Sequence, residues 1–342
     1  MSTFPKHILI IRLSAMGDVA MAVPVVRELI RQYPEVKITI LTKSFFAPFF
    51  RELKNVTIYE ADVKGNHKGI LGLYKLSKEL KKLNIDAIAD LHNVLRSNIL
   101  KFFLSGIKIV QIDKGRKEKK ALIKGKYFEQ LKTTRERYAD VFRSSGFDLD
   151  LSAPEFPKKS ELNVKLSNLV GNSDNLIGIA PFAAFNSKVY PLELMEEVIS
   201  ELNKEHKVLL FGGGKEEVAK LVEIESKYNN VVNLAGKLTL EEELDVISNL
   251  SVMISMDSGN GHIAAMLGVE VVSLWGVTHP YAGFYPFNQK SSNALLADRE
   301  KFPQIPTSVY GNKYPEGYEK AIASITPKQV VEKINEIITT TN

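Results

Sequence analysis

The sequence predicts an α/β protein of two domains, each a parallel sheet covered by helices, and three observations carry that prediction. Its 342 residues, 44% hydrophobic and 25% charged, have the composition of an ordinary globular chain and the length of two domains at roughly 100 to 200 residues each. Apolar runs of strand length alternate with longer stretches of helical period, the signature of strands buried under helices. Two such arrays follow one another, separated by an irregular segment from Asp148 to Asp174 that carries Pro154, Pro157 and Gly171. Two βα arrays in succession mean two Rossmann-like domains.

In the first array, residues 1–155, strands are expected at His7–Ile11, Lys37–Leu41, Thr57–Tyr59, Ala87–Ala89 and Lys108–Gln111. Helices are expected between them at Met21–Gln32, Phe45–Glu52, Ile70–Lys82 and Ser97–Phe103. The charged run from Lys114 to Lys120 reads as a mobile surface loop, and residues 156–175 as the linker. In the second array, residues 176–317, the strands are Leu176–Ala180, Lys207–Phe211, Val231–Asn233, Val252–Ser255 and Val269–Trp275. Its helices are Pro191–Asn203, Glu216–Tyr228, Leu240–Asn249 and Gly261–Leu267. The Pro-, Gly- and Tyr-rich stretch from Trp275 to Gly317 is too long for a simple connection and is a candidate for part of a site. Thr326-Pro-Lys-Gln opens a final amphipathic helix, with Pro327 at the first helical position, where a missing N–H is tolerated.

The chain has no cysteine, which excludes disulfides, thiolate metal sites and a cysteine nucleophile and agrees with a reducing cytoplasm. The apolar stretch after Lys6 is too short for a signal-peptide core, and no segment approaches the roughly 20 apolar residues that cross a bilayer. Membrane contact is therefore expected to be peripheral. The net charge of +5 hides an asymmetry: residues 1–172 carry 31 Lys and Arg against 18 Asp and Glu, and residues 173–342 carry 14 against 22. A net +13 half favours an anionic partner such as a phosphorylated lipid surface, a phosphosugar or a nucleic acid.

Four strand-to-helix junctions carry residues fit for chemistry, and ligands of open α/β sheets bind beyond the carboxyl ends of strands. In Arg12-Leu-Ser-Ala-Met-Gly-Asp18, Gly17 allows a tight turn. Asp18 is there either a carboxylate base or an N-terminal helix residue favoured by the dipole. Ser255-Met-Asp257-Ser-Gly-Asn-Gly-His262 offers backbone N–H groups that form a phosphate cradle. It also matches a dinucleotide pattern, but it comes late in its domain and the next strand ends Leu274-Trp-Gly276 without an acid, which argues against NAD. His262 also reads as a helix-face residue bonded locally, the more common fate of a lone histidine. Lys188, in the loop after Ile179, could neutralise a phosphate oxygen. The turn Phe211-Gly-Gly-Gly-Lys-Glu-Glu217 is not a Walker A loop. Gly212 and Gly213 there permit close backbone approach, and Glu216 or Glu217 could accept hydrogen bonds from a ribose or base. If each domain presents its strand ends to a cleft, an acid faces a cradle, an arrangement for moving a group from a phosphorylated donor.

These segments, together with Asp90-Leu-His-Asn-Val-Leu-Arg-Ser97, Lys188-Val-Tyr-Pro191 and Leu274-Trp-Gly-Val-Thr-His-Pro280, resemble glycosyltransferase family nine, the heptosyltransferase-like enzymes of bacterial lipopolysaccharide assembly. They occur in the family's order and cover both halves. The resemblance implies the GT-B fold, two Rossmann-like domains facing across a cleft, with a C-terminal helix, residues 318–342, returning to the N-terminal domain. It implies inverting, metal-independent transfer of a sugar, heptose or related, from a nucleotide-sugar such as ADP-heptose to a lipopolysaccharide core or other anionic lipid-linked saccharide, with no cofactor. In that reading Asp18 is the catalytic base. Lys188, Gly212, Gly213, Glu216, Glu217, Asp257, Ser258, Gly259 and His262 hold the donor, and Ser14, His92 and Arg96 meet the acceptor. The enzyme would be cytoplasmic, with peripheral contact at the inner face of the cytoplasmic membrane. The chain departs from the family at Ala183-Ala184, where hydroxyl residues are common, and at Ser258, where threonine is; the lost hydroxyls leave the donor sugar open.

Two other readings compete. A GT-B sugar-nucleotide epimerase would convert donor alone. A non-enzymatic basic binding protein would lose affinity steeply with salt, but the basic half shows no interleaved aromatics or recognition motif for nucleic acid, and no nucleic-acid partner is expected.

Overall fold

The computed structural model describes residues 4–171 and 175–341; residues 172–174, in the expected linker, lie outside the described residues. The chain divides into two units, Met1–Lys114 with Lys132–Glu155, and Gly115–Leu131 with Phe156–Asn342.

The first unit contains β1 (His7–Ile11), α1 (Met16–Gln32), β2 (Lys37–Thr42), a 3-10 helix at Ser44–Phe50, β3 (Val56–Glu60), α2 (Gly69–Lys81), β4 (Ala87–Asp90), α3 (Leu95–Phe103) and β5 (Lys108–Gln111). After β5 the chain forms α4 (Arg116–Ile123), which belongs to the second unit, and returns with α5 (Thr134–Arg143). The five strands are parallel in the order β3-β2-β1-β4-β5. Every residue of β1 is buried, as expected of a central parallel strand covered on both faces. Leu73, Leu76 and Leu80 of α2 and Leu100 of α3 pack over Leu9, Ile11 and Ile88. The helix α1 begins five residues before the expected Met21, so Met16, Gly17 and Asp18 form its first turn rather than a preceding loop. The expected helix Phe45–Glu52 is a 3-10 segment because Pro48 sits inside it, removing a donor and blocking an α-turn.

The second unit contains α6 (Val164–Val170), β6 (Leu176–Ala180), α7 (Leu192–Leu202), β7 (Lys207–Leu210), α8 (Lys215–Glu225), β8 (Val231–Asn233), α9 (Leu240–Ser248), β9 (Val252–Met256), α10 (Gly259–Met266), β10 (Glu270–Trp275), β11 (Ala294–Leu296) and α11 (Pro327–Thr341). Its strands are all parallel, in the order β11-β10-β9-β6-β7-β8. The three-residue β11 lies inside the Pro-, Gly- and Tyr-rich stretch and is too short to show a period.

Three expectations are corrected. The run Lys114 to Lys120 is not a loop: Gly115, in the left-handed region at φ +60°, starts α4. The segment is tied down where Leu122 and Leu131 pack on Ala282 and the Leu131 N–H donates to the Tyr281 carbonyl at 3.0 Å. The expected linker contains α6, whose N-cap Asn163 accepts from the Leu166 N–H at 3.0 Å and which packs on α9. The C-terminal helix α11 packs on α7, and its Val330, Ile334, Ile337 and Ile338 enter the second unit's core beside Met195, Ile199 and Ile254. An amphipathic helix buries its stripe where apolar surface is offered, and the outer face of α7 offers it.

Candidate functional site

In each sheet the strand order reverses once, and the loops flanking that switch point are where an open α/β sheet binds ligands. In the first unit the switch lies between β1 and β4. Arg12, the residue after β1, is buried, and its guanidinium pairs with the Asp18 carboxylate while Nη1 donates to the Leu91 carbonyl at 2.5 Å. Asp18 is the third residue of α1, where the helix dipole favours an anion, and its Oδ2 also accepts from the Ala15 N–H at 3.3 Å. Its side chain is 30% exposed against 6% for Arg12, so solvent reaches the acid while its partner orients it from within. The Tyr138 hydroxyl of α5 donates to the Asp18 carbonyl at 3.3 Å, and the Tyr138 ring centre lies 5.8 Å from the Arg12 guanidinium carbon.

Asp90 ends β4 fully buried and accepts from the N–H groups of His92 and Asn93 at 2.9 and 2.8 Å. Its other oxygen meets Lys101 Nζ at 2.6 Å, and Nζ also donates to Gln111 Oε1 at 2.5 Å. Both charges of this buried pair are hydrogen-bonded, the condition under which such a pair survives desolvation. It fixes the turn that carries His92. The buried His92 places Nε2 3.4 Å from Ser14 Oγ. Burial first, then the Arg12 charge, pulls its pKa down to about 4, so near pH 7 it is a neutral hydrogen-bonding group and not a cation. Arg96 stands exposed in the first turn of α3.

In the second unit the switch lies between β6 and β9. Lys188, in the loop after β6, meets Asp257 after β9 at 2.9 Å, the two side chains being 12% and 10% exposed. Ser258 is the N-cap of α10 but makes no side-chain cap; its Oγ lies 3.0 Å from that of Ser255. The N–H groups that open α10 at Gly259 are thus uncapped by a side chain and follow two residues after Asp257, the partner of the Lys188 ammonium, an arrangement fit for an anion. His262 is buried farther along α10. In the turn after β7, Glu217 Oε2 accepts from the Gly213 N–H at 2.8 Å while Glu216 is exposed. A Cβ on Gly212 would meet Leu221 Cδ1 at 3.0 Å.

The structure brings Ser14, Asp18 and His92 together in one unit, and Lys188, Asp257, Ser258 and Gly259 in the other. Sequence reading missed the residues that support them. Arg12 and Asp90 stood in the quoted motifs, but nothing in their spacing showed that they would orient Asp18 and His92. Gly311 at φ +85° was also missed: a Cβ there would lie 2.5 Å from Lys188 Cδ, so the 307–311 loop lies directly on the lysine stem. The buried Ser187 hydroxyl ties that loop down through the Gly311 carbonyl at 2.5 Å. The unusual length of the 275–317 stretch was the one signal available. The same stretch walls a cleft of about 800 Å³ in the second unit. Among the described residues, Lys124, Arg299 and Lys313 line it with Tyr127, Phe128 and Tyr314, and no carboxylate does. The Arg299 guanidinium stacks 3.5 Å from the Phe128 ring centre.

His279, beside this cleft, is packed against Phe128 and Tyr281, and burial followed by the Arg299 charge lowers its pKa to about 4. Between about 4 and the ordinary 6.5 the unfolded chain binds a proton that the folded chain does not, so stability falls as pH drops through this window. The loss is on the order of 3 kcal/mol for a shift of this size. His279→Asn, which keeps an acceptor for the Tyr281 N–H, is expected to flatten the fall in urea midpoint between pH 7 and pH 4.5; an unchanged slope would show that His279 does not titrate there.

Comparison with known proteins agrees with this architecture. The model of glycosyltransferase family 9 (heptosyltransferase) matches residues 73–312. Lipooligosaccharide heptosyltransferase 2 of Haemophilus influenzae is 28% identical, the match covering 97% of this chain and 99% of that protein. The solved glycosyl transferase family 9 protein of Veillonella parvula has a TM-score of 0.77 at 19% identity, covering 98% of both chains. The Escherichia coli heptosyltransferase WaaC with ADP has a TM-score of 0.72 at 19% identity, covering 97% of this chain and 99% of that one. With two parallel sheets, a topological switch point in each and a family match over well more than half of its length, the chain belongs to glycosyltransferase family 9 and is a glycosyltransferase of the GT-B fold, built of two Rossmann-like domains.

Proposed function

We propose that the protein transfers heptose or a related sugar, with inversion and without a metal ion, from ADP-heptose or a similar nucleotide-sugar to a lipopolysaccharide core or related lipid-linked saccharide. It would act in the cytoplasm at the inner face of the cytoplasmic membrane. What supports this reading is that each unit carries a matching half of such a reaction at its own switch point: an oriented, solvent-reachable carboxylate in the first, and an ammonium and a helix N-terminus without a side-chain cap in the second. Asp18 takes the proton of the acceptor hydroxyl as its oxygen bonds to the anomeric carbon. The bond from that carbon to the diphosphate oxygen breaks, and the nucleoside diphosphate leaves with the electron pair, stabilised by Lys188 and the N–H groups at Gly259. The proton on Asp18 is then lost to solvent. Glu217, held on the Gly213 turn, is better placed for the nucleoside than the exposed Glu216. Ser14 and Arg96 are assigned to the acceptor, with buried His92 setting the Ser14 hydroxyl. The cationic, aromatic cleft around Arg299 suits an anionic saccharide. The names of the relatives support the choice of sugar and acceptor.

The test is incubation with a panel of nucleotide-sugars, with and without a lipid A core acceptor and with excess EDTA. Nucleoside diphosphate is expected only with both substrates present, at an EDTA-independent rate and with the opposite anomeric configuration in the product. Conversion of donor alone would favour the epimerase, and loss of rate in EDTA would overturn the metal-independent mechanism.

A further inference from the structure

We propose that the outward faces of α2 and α3 form a docking surface for an anionic lipid bilayer. The inference rests on the reading above only in that a lipid-linked acceptor gives the enzyme a reason to be there. These two helices pack on each other, bury Leu73, Leu76, Leu80 and Leu100 inward, and still leave large apolar side chains in solvent. Leu71 is 84% exposed, Leu95 and Phe102 76% each, and Ile70 63%. Single exposed hydrophobics need no explanation, but a contiguous set does. Ile70 and Tyr74 stand one turn apart on α2, and Leu95 and Phe102 two turns apart on α3, so each pair shares a helix face. Aromatic contacts join the two faces: Tyr74 meets Phe103 edge-on at 5.3 Å, and Phe103 meets Phe102 at 5.7 Å.

Charge selects the occupant. Lys68, Lys75, Lys78, Lys81 and Lys82 surround the patch and are all exposed, and Lys78 Nζ sits 4.6 Å from the Tyr74 ring centre. The one carboxylate in α2, Glu79, is engaged by the Tyr59 hydroxyl at 2.6 Å and by His67 at 3.1 Å; α3 contains none. Apolar and aromatic groups ringed by lysines on an amphipathic helix insert at the headgroup boundary of an anionic membrane, with about 1 kcal/mol per cation near the surface. A second copy of this chain is disfavoured as occupant, because a two-fold contact here would set lysines against lysines.

The experiment is co-sedimentation of the full-length protein with vesicles of phosphatidylcholine alone or mixed with phosphatidylglycerol, across a salt series. Two double variants are compared, Leu71→Asp/Phe102→Asp and Lys78→Glu/Lys81→Glu. All four positions are exposed, so thermal unfolding should stay as in the wild type. The wild type is expected to bind the anionic vesicles, weakening with salt, and each variant to bind at least about tenfold more weakly. Both should keep wild-type turnover on a delipidated saccharide acceptor. Equal binding to neutral and anionic vesicles, or variants that bind like the wild type, would overturn the proposal. So would sedimentation-velocity evidence that the apolar variant abolishes self-association while vesicles are ignored. Vesicle binding without sugar transfer would sink the proposed reaction and leave this surface standing, whereas transfer to the delipidated acceptor without vesicle binding would do the reverse.

Discussion

Asp18→Asn is expected to lower kcat by about a thousandfold while changing nucleoside diphosphate affinity less than about twofold. General-base assistance contributes roughly 10² to 10⁴ in rate, and the amide keeps the shape of the carboxylate but takes no proton. Stopped turnover combined with calorimetric titration of the nucleotide checks both halves; a kcat within tenfold of the wild type would remove Asp18 from the chemistry. Arg12 gives a second handle. It is buried behind Asp18 and bonded to the Leu91 carbonyl, so it acts by aiming the carboxylate, not by touching substrate. Arg12→Lys keeps the charge but cannot reach both partners in a fork. A fall in kcat of tenfold or more with KM for donor unchanged is expected, and no fall would show that the carboxylate needs no such aiming. Asp18 lies upstream of the family match at residues 73–312, so its assignment here rests on the geometry around β1.

The residues proposed for the reaction stand out in the sequence because backbone geometry limits what can stand at a strand-to-helix junction. Asp18, Lys188 and the Asp257-Ser258-Gly259 turn could be singled out because each sits where a strand ends and a helix begins, the place where open α/β sheets bind ligands, although Asp18 alone reads equally as a first-turn acid favoured by the helix dipole. Their partners were not legible. Arg12 to Leu91 and Ser187 to Gly311 are contacts between residues 79 and 124 positions apart, and nothing local encodes a pairing made by sheet order. The earlier start of α1 has a local cause instead: the apolar period points to Met21, whereas the helix opens at Met16 and Asp18, its third residue, closes the first turn by accepting from the Ala15 N–H. The neutrality of His92 could not be read either, since it follows from burial and from the cation brought beside it.

The charge asymmetry read along the sequence changes meaning for a related reason. Dividing the chain at residue 172 assigned the basic run 114–126 to the first half. The fold gives α4 to the second unit, together with Lys158, Lys159 and Lys165. Counted by unit, the first carries 22 basic and 15 acidic residues and the second 23 and 25. The first unit is still basic, at +7, but the second is close to neutral. Where the first unit's excess sits then matters more than its size, and α2 with the flanking Lys68 and Lys82 carries five lysines against the single Glu79. The basic residues 115–131 instead accompany the 299–315 wall of the cleft that holds Arg299.

Lys188→Met tests the other end of the reaction. It keeps the stem that fits under Gly311 and removes only the ammonium, so a loss reports charge and not packing. Nucleoside diphosphate affinity is expected to fall about ten- to a hundredfold and kcat by a further hundredfold, because the leaving oxygens gain negative charge as the bond breaks and the ammonium is worth most there. The variant also leaves the Asp257 carboxylate, 10% exposed, without its counter-charge, which destabilises the fold for reasons unconnected with catalysis. The double variant Lys188→Met/Asp257→Asn separates the two effects. It should recover most of the lost thermal stability, yet its affinity and kcat should remain low. If restoring the fold also restored turnover, Lys188 would be a structural partner of Asp257, and stabilisation of the leaving group would fall to the α10 N-terminus alone.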